Sequence, residues 1–274
     1  MKPVNRVALW IGVSGFILLA CLIYAFWPRK VVPPRVISPK PTVPVAAALH
    51  FPKGKGKIAI VLDDWGYSLH QLPVLKTIRQ PLTVAVLPSL PYSTRVAKEA
   101  QAQGFEVILH LPMEAQDPKA SREAETLLTG MPKQQVLKIM EESLAAVPFA
   151  KGINNHQGSK ATTDRALMAV VLSEVKRHGL YFLDSRVTEK SVCGDVAQQL
   201  KVRYTRRDVF LDNDPSPEVI QQRLVELTRL AVKEGKVIGI GHDRPNTLSV
   251  LQEAIPALEK AGYTLVKASE LAHE

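Results

Sequence analysis

Cysteine is scarce. The chain has two in 274 residues, Cys21 inside an apolar run and Cys193 in the body of the sequence, so no disulfide framework can staple the domain. Acidic residues are missing from the whole N-terminal region, the first being Asp63. Nine of the 35 Lys and Arg residues precede Ile58, which leaves 26 to face 26 Asp and Glu beyond it. The formal charge of +9 therefore belongs to the N-terminal region, and the rest of the chain is neutral. Non-specific nucleic-acid affinity comes mainly from a basic surface releasing counterions, so no nucleic-acid partner is expected. There is no internal repeat of fixed period, and no low-complexity tract beyond one proline-rich stretch. Although the chain exceeds the usual single-domain length, α/β barrels of roughly 250 residues fold around one core, so one main domain is expected.

From Val7 to Trp27 the sequence is apolar apart from Ser14 and two glycines, long enough to cross a hydrocarbon core of about 30 Å as a helix. Three readings compete: a cleaved signal peptide, a lipoprotein signal ending at Leu-Leu-Ala-Cys21, and an uncleaved anchor. The run is longer than a secretory apolar region and ends in Tyr24, Phe26 and Trp27, which suit a headgroup belt. Residues 1–27 therefore read as a transmembrane anchor. Basic residues flank both ends, so charge alone does not orient it. Residues 28–57, with Pro33, Pro34, Pro39, Pro41, Pro44 and Pro52, read as an extended spacer without a packed core. The arrangement expected is a single-pass inner-membrane protein with residues 58–274 as its domain in the periplasm or extracytoplasmic space.

Beyond the spacer, short β-branched runs such as KIAIVLDD, TVAVLP, FEVILHL, GLYFLDS and KVIGIGH alternate with helical periods. Helices are expected at Ser68–Arg79, Tyr92–Gln103, Pro132–Val147, Thr163–His178, Pro217–Glu234 and Thr247–Ala261. This is the rhythm of a parallel sheet or (β/α) barrel, whose active sites form at the carboxyl ends of the strands. Ionisable residues gather there: Asp63 and Asp64, His110 and Glu114, His156 after Asn154 and Asn155, Asp184 and Arg186, and His242.

Taken singly, each has an ordinary structural explanation. Adjacent aspartates after a strand often cap a turn, and a lone strand-end histidine is more often structural than a ligand. Three such histidines among seven shift the balance. One carboxylate and two imidazoles are the donors expected for zinc and related divalent ions, and an open catalytic site needs three protein ligands, which Asp64, His110 and His156 would supply. Adjacent carboxylates also let one bind metal while its neighbour takes a proton from water. Glu106, Lys138, Lys176 and Lys233 read as solvated faces, the methionines as core filling, and Cys193 as an isolated thiol.

The runs Val-Leu-Asp63-Asp64-Trp-Gly66, His110-Leu-Pro-Met-Glu114, Gly-Ile-Asn154-Asn155-His156-Gln-Gly-Ser159, Phe-Leu-Asp184-Ser-Arg186 and Gly-Ile-Gly-His242 together resemble the divergent polysaccharide deacetylase family. That family is similar to the larger polysaccharide deacetylases, metal-dependent enzymes with an irregular (β/α) barrel that remove acetyl groups from N-acetylated sugars. The resemblance implies Asp63 as general base, Asp64 as a metal ligand, and His242 as general acid with Asp184 as its orienting partner. Glu114, Asn155 and Arg186, within the same motifs, fall to substrate binding. Glu114 stands where the larger family has a second metal histidine, so it competes with His156 for the third ligand position. Asn154-Asn155-His156 stands where the larger family has an arginine-proline motif that holds the base. The function implied is hydrolysis of N-acetyl groups on a cell-envelope glycan, with a divalent metal, zinc by donor type, as cofactor. Two alternatives stay open: a non-catalytic glycan-binding or envelope-assembly protein on the same barrel, and a metal hydrolase of another bond such as a phosphodiester.

Overall fold

The computed structural model describes residues 51–274 except Ser121. The apolar run and most of the spacer lie outside the described residues. Among the described residues, no helix is long and apolar enough to cross a membrane.

Among the described residues, nine strands form one parallel sheet: β1 (Lys57–Trp65), β2 (Thr83–Val86), β3 (Glu106–Met113), β4 (Gly152–Gln157), β5 (Tyr181–Asp184), β6 (Tyr204–Arg206), β7 (Val209–Phe210), β8 (Lys236–His242) and β9 (Thr264–Val266). Their order is β6-β5-β4-β3-β2-β1-β8-β7, with β9 paired to the start of β1. The helices are α1 (Leu72–Leu75), α2 (Ser93–Ala102), α3 (Lys133–Ala146), α4 (Arg165–Arg177), α5 (Cys193–Leu200), α6 (Pro217–Glu234) and α7 (Pro245–Ala261). The two ends of the sheet, β6 and β7, are separated by Arg207 and Asp208 alone. The Arg207 amide donates to Asp184 O at the end of β5 (2.9 Å), and the next amide, of Asp208, donates to Ile238 O of β8 (2.9 Å). One extended segment thus bonds to both ends, and the sheet is curled.

Strand alternation then divides the buried residues into two sets. Ile58, Ile60, Leu62, Val84, Val86, Val107, Leu109 and Phe182 face outward into the main core, where the helices pack. Ala59, Val61, Ala85, Ile108, Tyr181, Leu183, Ile238 and Ile240 face inward into a smaller cluster. Val266, Ala268, Leu271 and Ala272 of the C-terminal segment join this inner cluster.

Four expectations need correction. The helix expected at Ser68–Arg79 is reduced to one turn, Leu72–Leu75. Pro73 lacks the amide that a helix would bond to Leu69 O, and its ring crowds that carbonyl; Leu72 N takes the carbonyl instead in a tight turn (3.1 Å). Helix α5 and strand β7 were not expected, being too short to show a period. Glu106 is no solvated face: it is 4% exposed inside the curl and accepts from Thr83 Oγ1 (2.9 Å), Tyr181 OH (2.9 Å) and Ser269 N (3.1 Å). The packed domain also starts before residue 58. Phe51 is buried, Pro52 O accepts from Tyr263 OH (2.9 Å), and Gly54 N donates to Ala261 O (3.1 Å).

Candidate metal centre and active site

The inward rows of the strands are apolar and end in polar residues at the carboxyl edge. On β1 the row Ala59, Val61 continues to Asp63; on β8, Ile238, Ile240 continues to His242, the register partner of Asp63. On β3, Ile108 is followed by His110, whose register partner on β4 is Asn154. At Asp64 the β1 backbone turns left-handed (φ 66°) and the pairing with β2 slips. This irregularity lets two consecutive aspartates serve one site, where a regular strand would send them to opposite faces.

Asp64 Oδ1 lies 3.3 Å from His110 Nε2 and 3.1 Å from His156 Nδ1, and the two ring nitrogens are 3.1 Å apart. Asp64 Oδ1 is buried and accepts no well-directed hydrogen bond, although two imidazoles stand beside it. Three donors thus converge on one point. A tetrahedral metal with ligands at about 2.0–2.1 Å needs its donors about 3.3 Å apart, so the set fits a divalent ion with one face open. Burial pushes the Asp64 carboxyl up, but the two imidazoles outweigh it and hold the group well below the usual carboxylate range. Burial likewise works against a charged His110, but Asp63 and Asp64 raise it to about 9.

Asp63 and His242 flank these donors. Asp63 is 2% exposed, with Oδ2 3.6 Å from His110 Nε2, and Oδ1 accepts from Asn154 Nδ2 (2.9 Å). Burial pushes its carboxyl up against the pull of His110 and His242, which strengthens it as a base. His242 Nε2 stands 3.9 Å from Asp64 Oδ2, and its Nδ1 is 2.7 Å from Asp212 Oδ1. Asp212 is fully buried, and its Oδ2 accepts from His242 N (2.9 Å) and Thr247 Oγ1 (2.6 Å). Burial alone would lower His242, yet the Asp212 carboxylate raises it, favouring a protonated imidazole. Phe210 stacks on the His242 ring at 6.2 Å.

Asp64, His110, His156, Asp63 and His242 therefore come together, while the other expected residues do not join them. Asp184 is not the partner of His242. It lies on the outward row of β5, accepting from Arg186 N (2.7 Å), Ser191 Oγ (2.6 Å) and Tyr204 OH (3.2 Å). Glu114 is held by Thr129 N (2.8 Å), Thr129 Oγ1 (2.7 Å) and Lys160 Nζ (2.9 Å), which outweigh burial and bring it down to about 2. Its oxygens are held by these donors, and it is not part of the donor cluster formed by Asp64, His110 and His156. Asn155 is 1% exposed and braces the loop after β5, accepting from Ser185 N (2.8 Å) and donating to Gln157 O (2.7 Å). Arg186 pairs with Glu189 at the rim.

Asp212 and Glu123 were missed, and Asn154 was given no role of its own. Asp212 follows a strand of two residues, too short to mark a strand end. Asn154 stood in a quoted motif but carries no charge to draw attention. Glu123 lies in a loop far from any strand end and reaches His156 Nε2 at 3.5 Å, while Tyr67 OH donates to it at 2.9 Å.

A curled parallel sheet with a carboxylate and two imidazoles at its carboxyl edge, beside a buried aspartate and an Asp-His pair, is consistent with the deacetylase fold. Residues 60–272 match the divergent polysaccharide deacetylase family, and the chain belongs to it. It is 38% identical over 227 residues to the uncharacterized protein YibQ of Escherichia coli (strain K12), covering 83% of this chain and 70% of that protein. Two crystal structures share the fold. The uncharacterized protein ATU2773 of Agrobacterium tumefaciens C58 superposes with a TM-score of 0.74 at 24% identity, covering 82% of this chain and 92% of its own. The catalytic domain of peptidoglycan N-acetylglucosamine deacetylase from Eubacterium rectale superposes with a TM-score of 0.50 at 18% identity, covering 82% and 94%.

Proposed function

We propose that the domain is a metal-dependent deacetylase that removes the acetyl group from an N-acetylated cell-envelope glycan. The observation that carries this reading is the meeting of Asp63 and the His242–Asp212 pair around three convergent metal donors. Asp64, His110 and His156 would hold a divalent ion, zinc by donor type, and when bound it supplies Lewis acidity towards an acetyl carbonyl and the attacking water. Asp63, a buried carboxylate whose Oδ1 accepts from Asn154, takes the proton from the water. His242, whose protonated form the Asp212 carboxylate favours, delivers a proton to the departing sugar amine. Family membership and the fold shared with a peptidoglycan N-acetylglucosamine deacetylase support the substrate class. The apolar run at 7–27 and the proline-rich spacer support an inner-membrane anchor with the domain in the periplasm.

Acetate release from N-acetylated peptidoglycan fragments or chito-oligosaccharides by the zinc-loaded, full-length protein in detergent tests the reading. Asp63→Asn and His242→Ala should each keep zinc and lose about 10²–10⁴-fold in turnover. A wild-type protein that binds zinc and releases no acetate would place it among glycan-binding proteins on the same barrel, and an active Asp63→Asn variant would refute the role of the base.

A further inference from the structure

We propose that Asn154 is a positioning residue that joins the general base to the metal ligands by holding His110 in one tautomer. The inference rests on the metal-hydrolase reading and adds a residue that touches neither the ion's donor point nor the water. Asn154 is fully buried on β4, and its amide lies between Asp63 and His110. Nδ2 is 2.9 Å from Asp63 Oδ1, and Oδ1 is 2.8 Å from His110 Nδ1.

The two ends of this amide are not interchangeable. An ionised carboxylate only accepts, so the amide nitrogen must face Asp63. Ser185 imposes the same orientation independently. Its hydroxyl proton is committed to Asn155 O (2.9 Å), which leaves a lone pair to accept the other Nδ2 proton of Asn154 (3.3 Å). The amide oxygen therefore points at His110 Nδ1, and that nitrogen must carry a proton to donate. Only Nε2 is then left to present a lone pair, and Nε2 is the atom that faces Asp64 Oδ1 (3.3 Å) and His156 Nδ1 (3.1 Å). Hydrogen-bonding the remote nitrogen of a ligating histidine commonly sets its tautomer and ring orientation. Here the same side chain also aims Asp63, so base geometry and ligand geometry share one support.

Two substitutions separate the functions in the full-length protein. Asn154→Asp keeps an acceptor for His110 Nδ1 but loses the amide donor to Asp63, whereas Asn154→Leu loses both. Zinc affinity, read by chelator competition, should fall about 10–100-fold in Asn154→Leu and stay within about threefold of wild type in Asn154→Asp. Turnover by Asn154→Asp should nevertheless drop at least about 10²-fold, since a like charge now faces the base. Should the leucine variant fail to fold, nitrogen-15 NMR of the zinc-loaded wild type still decides: His110 should show a protonated Nδ1 and an unprotonated Nε2. A proton on Nε2, unchanged zinc affinity in Asn154→Leu, or equal zinc loss in both variants would overturn the proposal. A wild type that binds zinc but releases no acetate would count against the proposed reaction alone, because the affinity and NMR results still decide the role of Asn154.

Discussion

Replacing Asp212 by asparagine perturbs the acid side of the site and nothing else that touches the donor triangle. The carboxylate accepts three short hydrogen bonds, two of them, from His242 N and Thr247 Oγ1, at Oδ2 and one, from His242 Nδ1, at Oδ1. An amide has a single acceptor oxygen, which belongs on the side with two donors. Its NH₂ group is then turned against His242 Nδ1, and that nitrogen must give up its proton. Both effects work against a protonated imidazole: the wrong tautomer is held, and the negative charge that raises His242 is gone. In the serine protease triad the equivalent change lowers kcat about 10⁴-fold, and a general acid is commonly worth about 10²–10⁴-fold, so a loss in that range is expected here. Losing one hydrogen bond to a charged group should also lower stability by about 1.5–3 kcal/mol. Acetate release at saturating substrate and urea unfolding measure the two effects, with Asp184→Asn as control. Asp184 serves Ser191 and Tyr204, so its variant should lose stability and keep turnover near wild type. An inactive Asp184→Asn beside an active Asp212→Asn would refute the assignment of the pair.

Alanine at Asp64, His110 or His156 should remove stoichiometric zinc, while Glu114→Gln should keep it, because Thr129 and Lys160 already occupy the Glu114 oxygens. Metal analysis after gel filtration decides, and zinc lost from Glu114→Gln would return that residue to the ligand set. Glu114 also predicts a pH effect of definite sign. Its folded value of about 2 lies below the ordinary carboxylate value, so its stabilisation is complete above about pH 5 and is lost as pH falls towards 2. Glu114→Gln should lose less stability than wild type over that window in pH-dependent unfolding, and identical profiles would contradict it. Finally, a fragment starting at Leu49 should be more stable than one starting at Ile58, since the shorter one loses the buried Phe51 ring, worth about 1.5–3 kcal/mol, and the Pro52 and Gly54 contacts. Equal urea midpoints would show that residues 49–57 contribute nothing to the core.

Much of the site was legible because strand-end position can be read from a one-dimensional pattern. An apolar β-branched run that stops at Asp63, His110 or His242 identifies the carboxyl edge of a parallel strand, where side chains from different strands converge. Residue type then singled out candidate metal donors, since Asp64, His110 and His156 are chemically matched to one kind of ion and the fold brings them together. Which face of each strand turns inward depends on the curl of the sheet, a tertiary property. Asp184 and Asp212 both follow apolar residues, yet the row carrying Phe182 packs on the helices and takes Asp184 outward, while the β7–β8 pairing brings Asp212 to His242 across 30 residues. Glu106 looked like a solvated strand start because its partners come from distant segments, Thr83, Tyr181 and, 163 residues later, the Ser269 amide. Asn154 lacks charge, and its importance arises from two hydrogen bonds to residues 91 and 44 positions away. Sequence patterning determined the strands, their polarity and the donor chemistry, because these depend on local alternation and residue type. Only the folded sheet decided which carboxylate partners His242, which amide bonds to Asp63, and where the domain begins, because each of those depends on contacts between segments distant in the chain.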